Sequence, residues 1–337
     1  MNKSITRTLF TVGLASTLTL SMAQKTNSKN PLLQQSTVAY GAPDFNKVCE
    51  SDYLPALQAA IAEARANIKK IVSNKAKPTF ANTIKAYENS GKLLDRVSNT
   101  FFCLTGSHKT PKIAETEKVI MPELVKFENE ISFNDKLFTK IKYVYDHEYK
   151  SLNGEDKRLL EETYNGFVRS GALLSKEKKA RMEQINSRIS DLQQQWGNML
   201  PAATNDAVVW VNSVDELKGL SQQDIAQCKK DAESRGNKAP YAIVIINTTQ
   251  QPILASLDNR ELRKKVYEAS INRANGTNKH NTLAVAAEIA KLRAEKAEIM
   301  GYKNYAQFSL EKTMAKTPEN VYSFLKNLIK VYKPVAD

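Results

Sequence analysis

Apolar residues spaced three and four apart recur along most of the chain, the pattern of stacked amphipathic helices. Leu54, Leu57, Ile61, Ile68 and Ile71 fall on one helical face. Ser51-Asp52 offers a cap before them, and Pro55 sits in the first turn, where a missing N–H costs nothing. Lys77-Pro78 is expected to end this helix. A second is expected over residues 79–102, carrying Ile84, Tyr87, Leu94, Val97 and Phe101, with two more over 113–129 and 135–148. The clearest stripe, Met182, Ile185, Ile189, Leu192, Trp196 and Met199, predicts a helix over 175–200 closed by Pro201. It reads as a core-facing face, not as a cofactor box.

Between Pro201 and Pro252 the period changes. AVVWV (207–211) and YAIVII (241–246) are short β-branched runs bounded by turn formers, which predicts a small sheet. Ser221 and Asp224 between them mark a helix start that runs to about Ser234. Helices return over 259–274 and 282–300, with Gly301 placed for a left-handed cap, and a last one starts at Thr317-Pro318 and runs towards Tyr332. No internal repeat or low-complexity tract appears.

The two ends of the N-terminal region read differently. Lys3 and Arg7, the apolar run from Leu9 to Leu20, and Ser21-Met22-Ala23 form the three-part pattern of a secretory signal over 1–23, too short to span a bilayer. Its removal would lower the net charge of +13 by two. Residues 24–46 are polar and turn-rich and predict an extended arm lying on the body, which is expected to occupy 47–337.

Composition agrees with helices: 42% hydrophobic, 25% charged, and only 12 Gly and 11 Pro in 337 residues. The fold class is therefore mainly α, with a small β-sheet near 207–246. The positive charge is scattered as isolated pairs such as Lys69-Lys70, Lys178-Lys179, Lys229-Lys230 and Lys264-Lys265. No basic, aromatic-interleaved stretch exists, so solvated helix faces are expected and no nucleic-acid partner. Cys49, Cys103 and Cys228 show no C-x-x-C pair and are expected to be buried and unpaired.

Chemistry is sparse. The three histidines are His108, His147 and His280. A zinc protease of the H-E-x-x-H type needs two imidazoles one turn apart, with the Glu between them to deprotonate the metal-bound water. The closest run is HEYKS (147–151), where Ser151 stands in place of the second imidazole. There is no phosphate-cradling glycine loop and no G-x-S-x-G elbow. Glu161-Glu162, and Asp258 near Glu261, read as solvated carboxylates balancing nearby cations rather than as an acid/base pair.

Two ordered series of motifs carry a family resemblance. The first is NPLL (30–33), YGAPDF (40–45), PTFANTI (78–84) and SGKLLDRVSN (90–99). The second is DNRELRKKVY (258–267), NRA (272–274), LRAEKAEIMGY (292–302), NYA (304–306) and KTMA (312–315). Both resemble the N-terminal half of the thimet oligopeptidase family of zinc metallopeptidases, in its bacterial dipeptidyl carboxypeptidase branch. The resemblance implies a multi-helix lobe of a two-lobed peptidase, with a channel that admits short unfolded peptides and a small sheet near the cleft. It further implies release of C-terminal dipeptides by one zinc, an H-E-x-x-H helix and a downstream Glu.

No position here corresponds to those ligands or to the later His and Tyr groups, so no catalytic, cofactor-binding or metal residue carries across. The chain is expected to be the incomplete N-terminal lobe, inactive alone, whose partners are short peptides and a missing C-terminal lobe. An exported, periplasmic location, a monomer when complete and no membrane contact after signal removal are expected with it. The competing reading is a helical peptide-binding protein that kept the lobe and lost the enzyme.

Overall fold

The computed structural model describes residues 30–236, 239–275 and 279–336. The signal segment 1–23 and the start of the arm lie outside the described residues. The chain forms two compact units, Met1–Ser187 and Arg188–Asp337.

In the first unit the arm is tied down at its head. Asn30 accepts from Leu32 N at 3.0 Å and donates to Asp52 O at 2.8 Å, capping a 3-10 turn over Pro31–Leu33. Leu32 is thereby buried, and Arg96 donates to its carbonyl at 3.1 Å. Helix α1 (Tyr53–Ser73) buries Tyr53, Ala56, Leu57, Ala60, Ile61, Ala64, Ile68 and Ile71 along the expected face. Its cap differs from expectation. Asp52 does not cap α1; its carboxylate reaches back to accept from Cys49 N at 2.7 Å and closes a 3-10 turn, Glu50–Asp52, that feeds into the helix. The helix also stops before Lys77-Pro78, because Asn74 turns extended and accepts from Ala76 N at 2.9 Å.

The expected helix over 79–102 is broken in two. Thr79 and Asn82 cap each other at the start of a π-helical turn, Phe80–Lys85, which runs on through Ala86–Glu88. Ser90 Oγ then donates to Tyr87 O at 2.6 Å, taking the carbonyl that a continuing helix would need. The chain restarts as α2 (Lys92–Ser107). Thr110 and Pro111 open α3 (Pro111–Ser132), and Asn134, accepting from Leu137 N at 2.9 Å, opens α4 (Asp135–Glu148). A further helix, α5 (Gly154–Ser170), was not legible in the pattern: it buries Leu160 and Phe167 amid charged residues.

Two cores result. Leu57, Ile61, Phe101, Ile113, Ile120 and Phe127 pack α1, α2 and α3 together. Ile68, Ile84, Leu137, Ile141, Leu160 and Phe167 pack the far end of α1 with the π turn, α4 and α5. Each such side chain stabilises by roughly 1.5–3 kcal/mol relative to exposure.

Helix α6 (Lys176–Asp206) contains the division between the units. Met182, Ile185 and Leu192 of its stripe are buried, whereas Ile189, Trp196 and Met199 are half-buried. Pro201 does not close it. The carbonyl that loses its N–H partner belongs to Gly197, which is exposed to water, and Thr204 Oγ1 donates to Leu200 O at 2.9 Å.

In the second unit β1 (Val209–Val211) pairs antiparallel with β2 (Tyr241–Ile243), with Trp210 opposite Ala242. Between them runs α7 (Gln222–Ser234), capped by Ser221, which accepts from Asp224 N at 3.1 Å. An unexpected short helix, α8 (Asn247–Ser256), follows the sheet. Helix α9 (Arg260–Ile271) starts at Asn259, and α10 (Leu283–Ile299) ends at Gly301 with φ +84, where Tyr302 N returns to Ala297 O at 2.9 Å. Two helices complete the unit, α11 (Tyr305–Leu310) and α12 (Pro318–Ala336). Val211, Cys228, Ile243, Ile245, Leu262 and Val266 are among its main core, and Leu192, Val285 and Ile289 form a smaller one.

Among the described residues, no helix is long and apolar enough to cross a membrane.

Candidate functional site

The near-motif at 147–151 is occupied by structural bonds. His147 is on the last turn of α4, its ring stacked on Tyr143 with centroids 4.0 Å apart and its Nδ1 2.8 Å from Tyr143 O. Glu148 Oε2 accepts from Phe80 N at 2.9 Å, so this carboxylate caps the π turn. The helix stops at Glu148, and Ser151 Oγ, in the turn beyond, donates to Glu148 O at 2.8 Å. A histidine in place of Ser151 would therefore not lie one helical turn above His147.

The other histidines are no closer to a site. His108 follows the end of α2 and is exposed. His280 precedes α10, with Nε2 3.4 Å from Asp206 Oδ2, a carboxylate that Lys279 also approaches at 3.6 Å. Among the described residues no group of three or more His, Cys, Asp or Glu could hold a metal ion. The described residues therefore do not fit a catalytic zinc.

The carboxylate pairs behave as solvated ion partners. Arg158 lies 3.8 Å from Glu161 and 2.7 Å from Glu162. Asp258 instead holds a loop, its N–H donating to Lys218 O at 2.8 Å. The cysteines require a correction. Only Cys228 is buried, and burial raises its thiol pKa to about 11. Cys49 and Cys103 are exposed: Cys49 precedes the 3-10 turn at the surface, and Cys103 lies off the α2 face that buries Val97 and Phe101.

Two surface features stand out. The first is a crevice of about 910 Å³ in the first unit, between the arm and α2, lined among others by Leu32, Pro43, Phe45, Val48, Arg96 and Val97. The second is α12. Val321, Leu325, Leu328, Tyr332 and Val335 repeat at three and four residues, with Phe324, Ile329 and Val331 widening the stripe. None of the helix's residues is buried, and Phe324 and Val331 are 63% and 66% exposed. The sequence pattern revealed the helix; its exposure needs the fold.

Peptidase family M3 is the family whose model matches this chain, over residues 253–337. The dipeptidyl carboxypeptidase of Salmonella typhimurium is 33% identical over 303 residues, covering 90% of this chain and 45% of that protein. The dipeptidyl carboxypeptidase of Escherichia coli is 34% identical over 301 residues, 89% of this chain and 44% of that protein. Oligopeptidase A of Escherichia coli is 28% identical over 310 residues, with 90% and 45% covered. The chain thus spans just under half the length of these curated relatives. With the motif runs at 30–99 and 258–315, these likenesses support the resemblance to the thimet oligopeptidase family, in its dipeptidyl carboxypeptidase branch.

Proposed function

We propose that this chain is a helical part of a zinc peptidase that hydrolyses short peptides and releases dipeptides from their C-termini. In this reading the zinc ligands and the catalytic Glu belong to the part of the relatives' length that the chain does not span. The 337 residues alone bind no catalytic zinc and cleave nothing. They contribute one wall of a peptide channel, and residues 1–23 direct export to the periplasm, where the complete protein acts as a monomer.

The observation that carries the reading is the one-third identity to two dipeptidyl carboxypeptidases over about nine tenths of the chain. The bare stripe of α12 supports it, because a solvent-adapted binding protein would not present so continuous an apolar face. A stand-alone peptide binder predicts instead a polar face at that position.

The test compares residues 24–337 with a chain extended to the relatives' full length, both supplied with zinc. Cleavage of an N-blocked tetrapeptide is measured by mass spectrometry. The extended chain is expected to release a C-terminal dipeptide and the shorter one to leave the peptide intact. Cleavage by the shorter chain would contradict the proposal.

A further inference from the structure

The crevice beneath the arm has no role in peptide hydrolysis as proposed above, yet it has the make-up of a ligand site. Its volume of about 910 Å³ lies within the range of small-molecule pockets, and its walls expose more apolar than polar surface. The apolar part comes from Leu32, Pro43 and Phe45 on the arm, Val48 just after it, and Val97 on α2.

Its charges are unequal in availability. Asp44 and Lys47 pair with each other at 2.9 Å, and the hydrogen bond from Lys47 holds the Asp44 carboxyl below its ordinary range. Arg96 is different. Its Nη2 donates to Leu32 O at 3.1 Å, and among the described residues no carboxylate pairs with it. A guanidinium carries five N–H donors in a fork matched to a carboxylate, so most of its capacity faces no anion among the described residues. From Arg96 the α2 wall continues to Cys103, about 10 Å along the helix at 1.5 Å per residue, which is roughly the reach of an extended eight-carbon chain.

We propose that this crevice binds a medium-chain fatty acid, with the carboxylate on Arg96 and the alkyl chain along Val97, Val48 and Phe45. One available cation suits a single negative charge. A peptide would bring an amide at every residue, each needing a hydrogen-bond partner, and the apolar side chains supply none; the polar lining, Gln34, Gln35, Ser36, Thr37, Asn99 and Thr100, makes a dipeptide the competing ligand in the test. The site is independent of the peptidase reading and stands or falls without it.

The test is isothermal titration of the chain with octanoate, octanol, hexanoate and an N-acetyl dipeptide bearing apolar side chains. Octanoate is expected to bind saturably at one site and at least tenfold more tightly than octanol, with each methylene from hexanoate worth about three- to fourfold. Arg96→Gln should erase the octanoate preference over octanol. Because it also removes the bond to Leu32 O, Phe45→Ala serves as a second variant: it should weaken both ligands alike and leave their ratio and the melting temperature unchanged. Absence of saturable octanoate binding would overturn the proposal. So would equal binding of octanol by the unaltered chain, an unchanged ratio in Arg96→Gln, or tighter binding of the dipeptide.

Discussion

Helices α1 and α12 are built to the same plan and meet opposite fates. Both are about twenty residues long, and both carry an apolar stripe at three- and four-residue spacing. In α1 that stripe disappears into two cores, with Leu57 fully buried, whereas in α12 nothing is buried. A periodic stripe therefore specifies that a helix needs a partner, but not which part of the chain supplies it. For α1 the partners are α2, α3, α4 and the π turn. For α12 the proposal is that they belong to the portion of the family's length outside these residues.

The largest effect should come from testing that contrast with one substitution made twice. Leu57→Ala should cost about 2–5 kcal/mol in urea unfolding, the usual price of a core cavity. Leu328→Ala should change the stability of this chain by no more than about 0.5 kcal/mol, as surface substitutions do. In a chain extended to the relatives' full length, Leu328→Ala should become costly. If it stays neutral there, α12 is not covered by the missing portion.

The next largest effect lies where the second unit is least forgiving. Gly219 has φ +95, and a Cβ added there would fall 2.2 Å from Ser256 O and 2.8 Å from Asp258 N. Gly219→Ala should destabilise by about 1–3 kcal/mol or more, seen as a lower melting temperature, because backbone atoms rather than a flexible side chain must move. Alanine at exposed Gly197, where nothing lies within 4 Å, should be tolerated.

A smaller loss should follow Glu148→Ala, which removes the acceptor for Phe80 N–H and should cost about 1 kcal/mol. Since Glu148 caps a turn instead of activating water, the variant should not alter zinc uptake by the chain. A changed zinc affinity would revive the 147–151 run as a ligand site.

The smallest effect separates the two units by their thiols. Cys49 and Cys103 should react with a disulfide reagent at pH 8 in seconds to minutes, and Cys228 only on unfolding. The raised thiol pKa of Cys228 also sets a sign. Its folded form holds the proton more tightly than the unfolded one, so its contribution is complete below pH 9.0 and is lost as the pH climbs towards about 11. Substituting Cys228 by Ala should flatten that alkaline decline.

Local chemistry made much of the fold legible. Ser221 with Asp224, Asn259 before an apolar run, and Gly301 after one each fix a helix end through bonds within a few residues, and the observed ends fall there. The misses depend on competition or distance. Ser90 breaks a helix by claiming one carbonyl, and Pro201 fails to break one because Gly197, whose carbonyl loses its partner, is exposed to water. Helix α5 hides because its buried pair, Leu160 and Phe167, is too sparse for a stripe.

The site was legible mainly in the negative. Three separated histidines could be read from the chain, but Glu148 reaching across to Phe80 could not. The crevice joins residues of the arm to Arg96 and Val97, far apart in sequence and individually ordinary, so only the fold brings them together.

Zinc stoichiometry of residues 24–337, measured by equilibrium dialysis and metal analysis beside a chain of the relatives' full length, tests the central claim most directly. The predicted result is one tightly held zinc in the long chain and none in the short one. One zinc held stoichiometrically by the short chain through its own side chains would contradict it.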